Sequence, residues 1–306
     1  MAGSHYPNGF ANGVSIKGMP ILNTYANKVF WVSSTTGSNG NDGTNARPFA
    51  TIDYAVGRCT ASKGDIIMVM PGHTETLTSQ AIVVDVAGVS VVGLGNGEDT
   101  PQLIYDHTSA EVSIAASSVL WQNIRHTSSV TGVVVGITVE AGAIGCTIRD
   151  CKFDVVAAGT DEFNLGIDIA VGANDTTVEG CHMDNDLGGA VAGISLTGAS
   201  NNIKILNNYI IGDYSTANVQ GVTTLSTNVF IKGNTLINGE GGAEGTEPGI
   251  QLLTGSTGTI ADNYIGCNLA TIAAAIVADT CMMFENYYVE VAPETGVLIG
   301  TASADD

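Results

Sequence analysis

The side chains that could do chemistry in this chain are carboxylates, lysines and histidines. Asp161 with Glu162, Asp168, and Asp184 with Asp186 form the best carboxylate set. A glycoside hydrolase needs two carboxyl groups roughly 5–10 Å apart, one an acid and the other a base or nucleophile. Asp168 stands between Ile167 and Ile169 in an alternating run, so it points outward from a strand. Asp184 and Asp186 follow Met183 in "MDNDLGG", a loop composition. If Asp168, Asp184 and Asp186 converge from adjacent coils, they make a hydrolytic or weak cation site. Elimination chemistry on an acidic glycan would instead need clustered carboxylates for calcium and a lysine or arginine base beside them. Beyond Arg149, the last arginine, the cations of the central and C-terminal chain are Lys152, Lys204 and Lys232. Lys204 and Lys232 read as solvated strand-face charges, Lys232 one residue later in register. The histidines, at 5, 73, 107, 126 and 182, form no HxxxH or HExxH pattern, and the cysteines show no zinc spacing. No metal site and no cofactor are expected.

Composition bounds what could hold these groups. The chain has 306 residues, 44% of them hydrophobic, only 13% charged, and 39 glycines, which suits many short strands and turns. Ten Lys and Arg stand against 30 Asp and Glu, a formal charge of −20. Phosphate-driven nucleic-acid binding is therefore not expected. No 18-residue apolar run predicts a membrane span, and "MAGSHYPNGF" lacks the layout of a secretory signal. The six cysteines fall mostly at apolar strand positions and read as free buried thiols of a protein made in a reducing compartment.

The organisation is repetitive. "IRDCKF" from Ile148, "VEGCHM" from Val178, "ILNNYI" from Ile205, "IKGNTL" from Ile231, "IADNYI" from Ile260 and "MFENYY" from Met283 share one pattern, at steps of 30, 27, 26, 29 and 23 residues. A second ladder precedes it: "GITV" at Gly136, "GIDI" at Gly166, "GISL" at Gly193, "GVTT" at Gly221, "GIQL" at Gly249 and a weaker "AIVA" at Ala275. Short alternating strands at a period under about 30 residues mean a solenoid. No helix-length segment lies between them, which excludes a βαβ sheet.

Two asparagines in "IKILNNYIIG" fix the geometry of the coil. Strict alternation from Ile205 would turn Asn208 outward, yet Ile210 two residues later is plainly apolar. The parity must break at a corner, and Asn207, Gly180, Gly233 and Asp262 are residue types that tolerate left-handed backbone there. Asn208, Asn234, Asn263 and Asn286 then point inward and stack as a structural ladder, with Cys151 and Cys181 in the same slot of two earlier coils. Tyr209 and Tyr264 share an outward slot with Thr235 between them, so no continuous aromatic platform is expected.

Residues 29 to 76 carry a strand at Val29–Val32, a Gly/Asn/Asp loop, a short helix in "RPFATIDYAV" with Ile52, Ala55 and Val56 on one face, and a strand in "GDIIMVMPG". This order resembles the opening of pectin-lyase-like right-handed parallel β-helix proteins, whose helix caps the open end. From Ile67, Val91 and Leu120 extend the coils backward, so the resemblance covers roughly residues 29 to 290. The fold expected is all-β, a right-handed parallel β-helix of about eight coils with a short N-terminal capping helix. Its C-terminal end should be closed by one or two strands.

The first 28 residues differ. "GSHYPNGFANGVSIKGMPIL" is similar to the N-terminal arm of phage head-associated structural proteins. His5, Tyr6, Pro7, Asn8, Phe10, Met19, Ile21 and Leu22 are its candidate docking residues. The resemblance implies two domains, an attachment arm at 1–28 and the solenoid at 29–306. It implies a non-enzymatic virion protein, a head-surface decoration or spike component. Its partners would be capsid or other virion proteins, a homotrimer is an assembly it allows, and its place is the virion after synthesis in the host bacterial cytoplasm. The alternative is a carbohydrate-active enzyme or tailspike-type depolymerase, a glycoside hydrolase or polysaccharide lyase acting on a neutral or capsular glycan. Its carboxylates would be Asp168, Asp184 and Asp186.

Overall fold

The computed structural model describes residues 14–16, 19–21, 28–79, 82–155, 162–185, 190–239, 247–267, 269, 272–290 and 303–304. Three parallel sheets run the length of the solenoid. The first has ten strands, from Val29–Val32 to Met282–Phe284. The second starts at Thr74–Leu77 and ends at Tyr287–Glu290, where Ser303–Ala304 adds an antiparallel closing strand. The third has eight strands, Ile82–Val84 to Ile276–Val277. Among the described residues, one third-sheet strand per coil gives eight complete coils.

Alternation decides what fills them. In the strand Lys204–Leu206 only Ile205 is buried, and in Tyr209–Gly212 Ile210 and Gly212 are. Between these strands Asn207 takes φ 53°, and its equivalents Asn123, Asp150, Gly180, Gly233, Asp262 and Glu285 all have φ between 54° and 70°. Each left-handed residue turns the chain through the corner and resets the parity. The ladder glycines have a different cause. A Cβ on Gly136 would stand 2.7 Å from the Gly166 carbonyl oxygen, and one on Gly166 2.6 Å from that of Gly193. Only a residue without a side chain lets successive coils approach that closely.

The N-terminal end is capped by the helix Ile52–Val56. The Thr51 hydroxyl accepts the Tyr54 N–H at its start, and Ile52, Ala55 and Val56 are buried against the first coil.

Two register assignments made from sequence are corrected. Val219, not Val222, pairs with Ile194, so "NVQG" rather than "GVTT" occupies the ladder slot, with Asn218 where its neighbours have glycine. The side-chain amide of Asn218 donates to the carbonyls of Ile210 and Ile237, which makes an amide acceptable there. Trp121, not Leu120, is the inward partner of Val91. Both residues are apolar, so the pattern alone could not set the parity.

Candidate functional site

The outer face of the third sheet carries a polar column. Ser113, Thr138, Asp168, Ser195 and Gln220 are register partners on successive coils. Its carboxylates reach across coils to hydroxyls: Thr138 Oγ1 donates to Glu111 at 3.1 Å, Ser113 Oγ to Glu140 at 2.8 Å, and Thr197 Oγ1 to Asp168 Oδ2 at 2.9 Å. Burial holds the Asp168 carboxyl above its ordinary acidity range, and the nearby Glu140 charge adds to the effect. Burial also raises Glu162. The second oxygen of Asp168, Oδ1, is buried with no hydrogen-bond partner. Glu140 lies one coil back and two residues on from Asp168, roughly 8 Å between Cα atoms from strand spacing and rise. Sequence reasoning passed over Glu140 although it directly follows the "GITV" ladder element.

The carboxylates grouped from sequence do not converge as grouped. Asp184 lies not in a loop but in the strand His182–Asn185, exposed on the second sheet, whereas Asp168 belongs to the third. The hydrophobic alternation of Met183 and its neighbours continues the strand through a turn-like composition. Asp161 and Asp186 lie outside the described residues.

A second constellation was missed. On the outer face of the second sheet, the column nearest the corner reads Gln102, Arg125, Lys152, His182, Tyr209, Thr235, Tyr264 and Tyr287. The next outward column carries Asp154 and Asp184. Arg125 Nε and Lys152 Nζ both bind Asp154, at 2.7 and 3.1 Å. The His182 and Tyr209 rings meet edge to face at 5.0 Å. Tyr264 and Tyr287 sit on adjacent coils, so the break at Thr235 separates two aromatic pairs. The signal was present in the aligned repeats: Lys152 and His182 occupy one slot, and Asp154 and Asp184 the slot two beyond. Beside the cation column lies an open cleft of about 360 Å³, walled on its far side by the Gly97–Asp99 turn. Lys232 is a strand-face charge paired with Asp262 at 2.8 Å, and its register lies two residues, not one, beyond Lys204.

The inward residues form a different arrangement. Asn208 Nδ2 donates to Asn234 Oδ1, Asn234 Nδ2 to Asn263 Oδ1, and Asn263 Nδ2 to Asn286 Oδ1, at 2.9–3.0 Å. The N–H of Cys181 donates to Asn208 Oδ1. Cys151 and Cys181, both free and buried, occupy the slot on the preceding coils. His126 is also fully buried. Trp121 Nε1–H donates to its Nε2, so Nε2 carries no proton. Its Nδ1–H then donates to the Tyr105 hydroxyl, which itself donates to the Gly136 carbonyl. A neutral imidazole satisfied on both sides is a structural residue, not a ligand.

Of the arm residues, Met19 and Ile21 belong to the short strand Met19–Ile21, antiparallel to Val14–Ile16. His5, Tyr6, Pro7, Asn8, Phe10 and Leu22 lie outside the described residues. Among the described residues no group of three or more His, Cys, Asp and Glu side chains is placed to hold a metal ion. No described helix is long and apolar enough to cross a membrane.

Comparison with known proteins bears on the fold. No curated protein matches the chain by sequence. A solved rhamnogalacturonan lyase is similar over 78% of this chain and 68% of its own, at 14% identity and a TM-score of 0.61. A GH136 lacto-N-biosidase from Eubacterium ramulus is similar over 87% of this chain and 64% of its own, at 13% identity and a TM-score of 0.48. The first likeness shows a shared fold and no more. The family model of the right-handed β-helix region matches residues 135–305, more than half the chain. With this match and the parallel coils of its described residues, this chain belongs to the right-handed β-helix family.

Proposed function

We propose that the chain is a non-enzymatic structural rod on the exterior of a phage particle, a head-surface decoration or spike component held to a virion protein through residues 1–28. The observation that carries the non-enzymatic reading is the use made of the third-sheet carboxylates. Glu111, Glu140 and Asp168 each accept a hydroxyl from a neighbouring coil. A hydrolytic carboxylate must be free to meet a leaving-group oxygen or a water; these tie coil to coil. Support for attachment comes from the arm sequence, with its His5-Tyr6-Pro7-Asn8 element and apolar Phe10 and Leu22. The test is co-sedimentation of full-length and arm-deleted chain with virions or empty capsids. Binding by the full-length chain alone supports the proposal. Equal sedimentation of both forms, or of neither, defeats it.

One observation favours a second reading, a glycan hydrolase. Asp168 combines an unpartnered buried oxygen with a raised pKa, which suits a proton donor, and Glu140 is near enough to be its partner. Release of reducing ends from a neutral or capsular glycan, abolished in Asp168→Asn, would establish that reading instead.

A further inference from the structure

We infer that the arm's hairpin, Val14–Ile16 with Met19–Ile21, docks within its own chain on the outer face of the first sheet, over the N-terminal strands of that sheet. The inference does not rest on attachment to a particle: co-sedimentation with virions can fail while this contact holds, and the reverse.

The face departs from the rest of the rod. Register places Val29, Ile66 and Leu120 in one outward column and Trp31, Met68 and Val92 in the next, with Ser90 and Gln122 their polar members. None of the apolar six belongs to the interior cluster, and Val29 is 45% exposed. On the following coils the same columns turn polar, with Thr147, Thr177 and Lys204 in one and Arg149 and Glu179 in the other. Strands apolar on both faces, as "VFWV" and "IIMV" are, belong to sheets covered on both sides. The capping helix does not supply the cover, because Ile52, Ala55 and Val56 join the interior.

The hairpin has the complementary pattern. Cross-strand partners share a face, and so do residues two apart. The register Val14↔Ile21 and Ile16↔Met19 therefore puts these apolar residues on one face, and Ser15 with Pro20 on the other. A single two-stranded hairpin with strands of three residues is marginal in water and needs a surface to pack on. Its length of about 10 Å, at roughly 3.4 Å per residue, spans both outward columns of the rod.

The tether selects this face and this chain. Residues 22–27 separate Ile21 from Lys28. Fully extended, the path from Ile21 to Lys28 reaches at most about 25 Å. Its far end is fixed, because the buried Asp65 carboxylate accepts the Lys28 N–H at 2.6 Å and the Thr60 N–H at 2.7 Å. Lys28 leads directly into Val29, the first residue of the face. From Val29 to Leu120 is three strand spacings, about 14 Å, so the whole face lies within reach. A linker this short holds the hairpin at roughly millimolar local concentration. At micromolar protein, contact within one chain then outcompetes the same contact between two.

Trp31 is the built-in reporter. The other tryptophan, Trp121, is fully buried, so fluorescence quenching by acrylamide reads chiefly Trp31. Trp31 is expected to be shielded in the full chain. Deletion of residues 1–22 should raise its quenching constant severalfold and shift its emission to the red. Ile16→Asp combined with Met19→Asp charges the apolar face of the hairpin and should do the same at unchanged chain length. This double variant carries the test should the shortened chain fail to fold. Ser15→Asp, on the opposite face, should leave the quenching unchanged. Light scattering on the same samples counts the copies. Arm-dependent shielding in a monomer supports the inference. Equal quenching of the full chain and the double variant overturns it. Shielding that is lost on dilution together with an oligomer also overturns it, since the occupant is then a second copy.

Discussion

Asn234 offers the most exacting test of how the coils are held together. Its side chain makes four hydrogen bonds: Oδ1 accepts from the backbone and the amide of Asn208, and Nδ2 donates to the Ile205 carbonyl and to Asn263 Oδ1. The residue is 1% exposed, so water cannot replace these partners. Asn234→Ala leaves the buried Asn208 N–H without its acceptor, at about 1–3 kcal/mol, and removes three further bonds at about 1 kcal/mol each. The expected loss is about 4–6 kcal/mol, a large part of a typical domain's stability. Asn208→Ala removes three side-chain bonds, to the Cys181 N–H, the Val178 carbonyl and Asn234 Oδ1. It should cost about 1 kcal/mol less. Asn234→Asp separates hydrogen bonding from packing, because it places an oxygen against two acceptors. Its folded-state pKa is raised, so its penalty is small below the ordinary carboxylate pKa and grows as pH rises toward the folded value. Urea unfolding followed by circular dichroism measures all three, and a constant m-value shows that the same surface unfolds in each. A loss below about 1 kcal/mol for Asn234→Ala, or a larger loss for Asn208→Ala, would refute the account.

Other expectations follow from the same geometry. Gly166→Ala should cost about 1–3 kcal/mol in the same assay, because its Cβ would meet the Gly193 carbonyl and Met183 Sδ. Asp168 has a raised folded pKa, so the stability it supports is full below the ordinary carboxylate range and is lost as pH rises through the folded value. Asp168→Asn should therefore flatten the pH dependence of unfolding in that window, and an unchanged slope would contradict the assignment. Burial pushes the Cys59 and Cys267 thiols up to about 12. A disulfide reagent at mild alkaline pH should react slowly with these two thiols in the native chain and with all six once guanidinium unfolds it.

What could be read beforehand followed from what each feature depends on. The corner asparagines were legible because one chain segment contains both halves of the signal: Ile205 and Ile210 are apolar, and only a left-handed residue at 207 lets both point inward. The polar groups of the third sheet were not, because their bonds join residues 27 to 29 apart on different coils, such as Ser113 with Glu140 and Asp168 with Thr197. The Arg125–Lys152–Asp154 triad was hidden for the same reason, since Arg125 and Asp154 are 29 residues apart. Asp184 was misplaced because "DND" is a turn composition, while the pairing of His182 with Lys152 and Tyr209 carries the strand through it. In a solenoid, a surface is assembled from one slot of each period, so it becomes visible only when repeats are aligned by register and read downward.

The asparagine column also has a direction. Asn208, Asn234 and Asn263 each give an N–H to the side-chain oxygen of the coil that follows in sequence, and Asn286 receives the last of them. Reversing one member would set two oxygens face to face on one side and two N–H groups on the other. The amides can therefore turn only together, and four side chains share a single orientation. Their dipoles add along the rod axis, from Cys181 at one end to Asn286 at the other. The solenoid thus holds an internal polarity that no surface charge supplies, and a fifth asparagine placed after Asn286 would find its orientation already chosen.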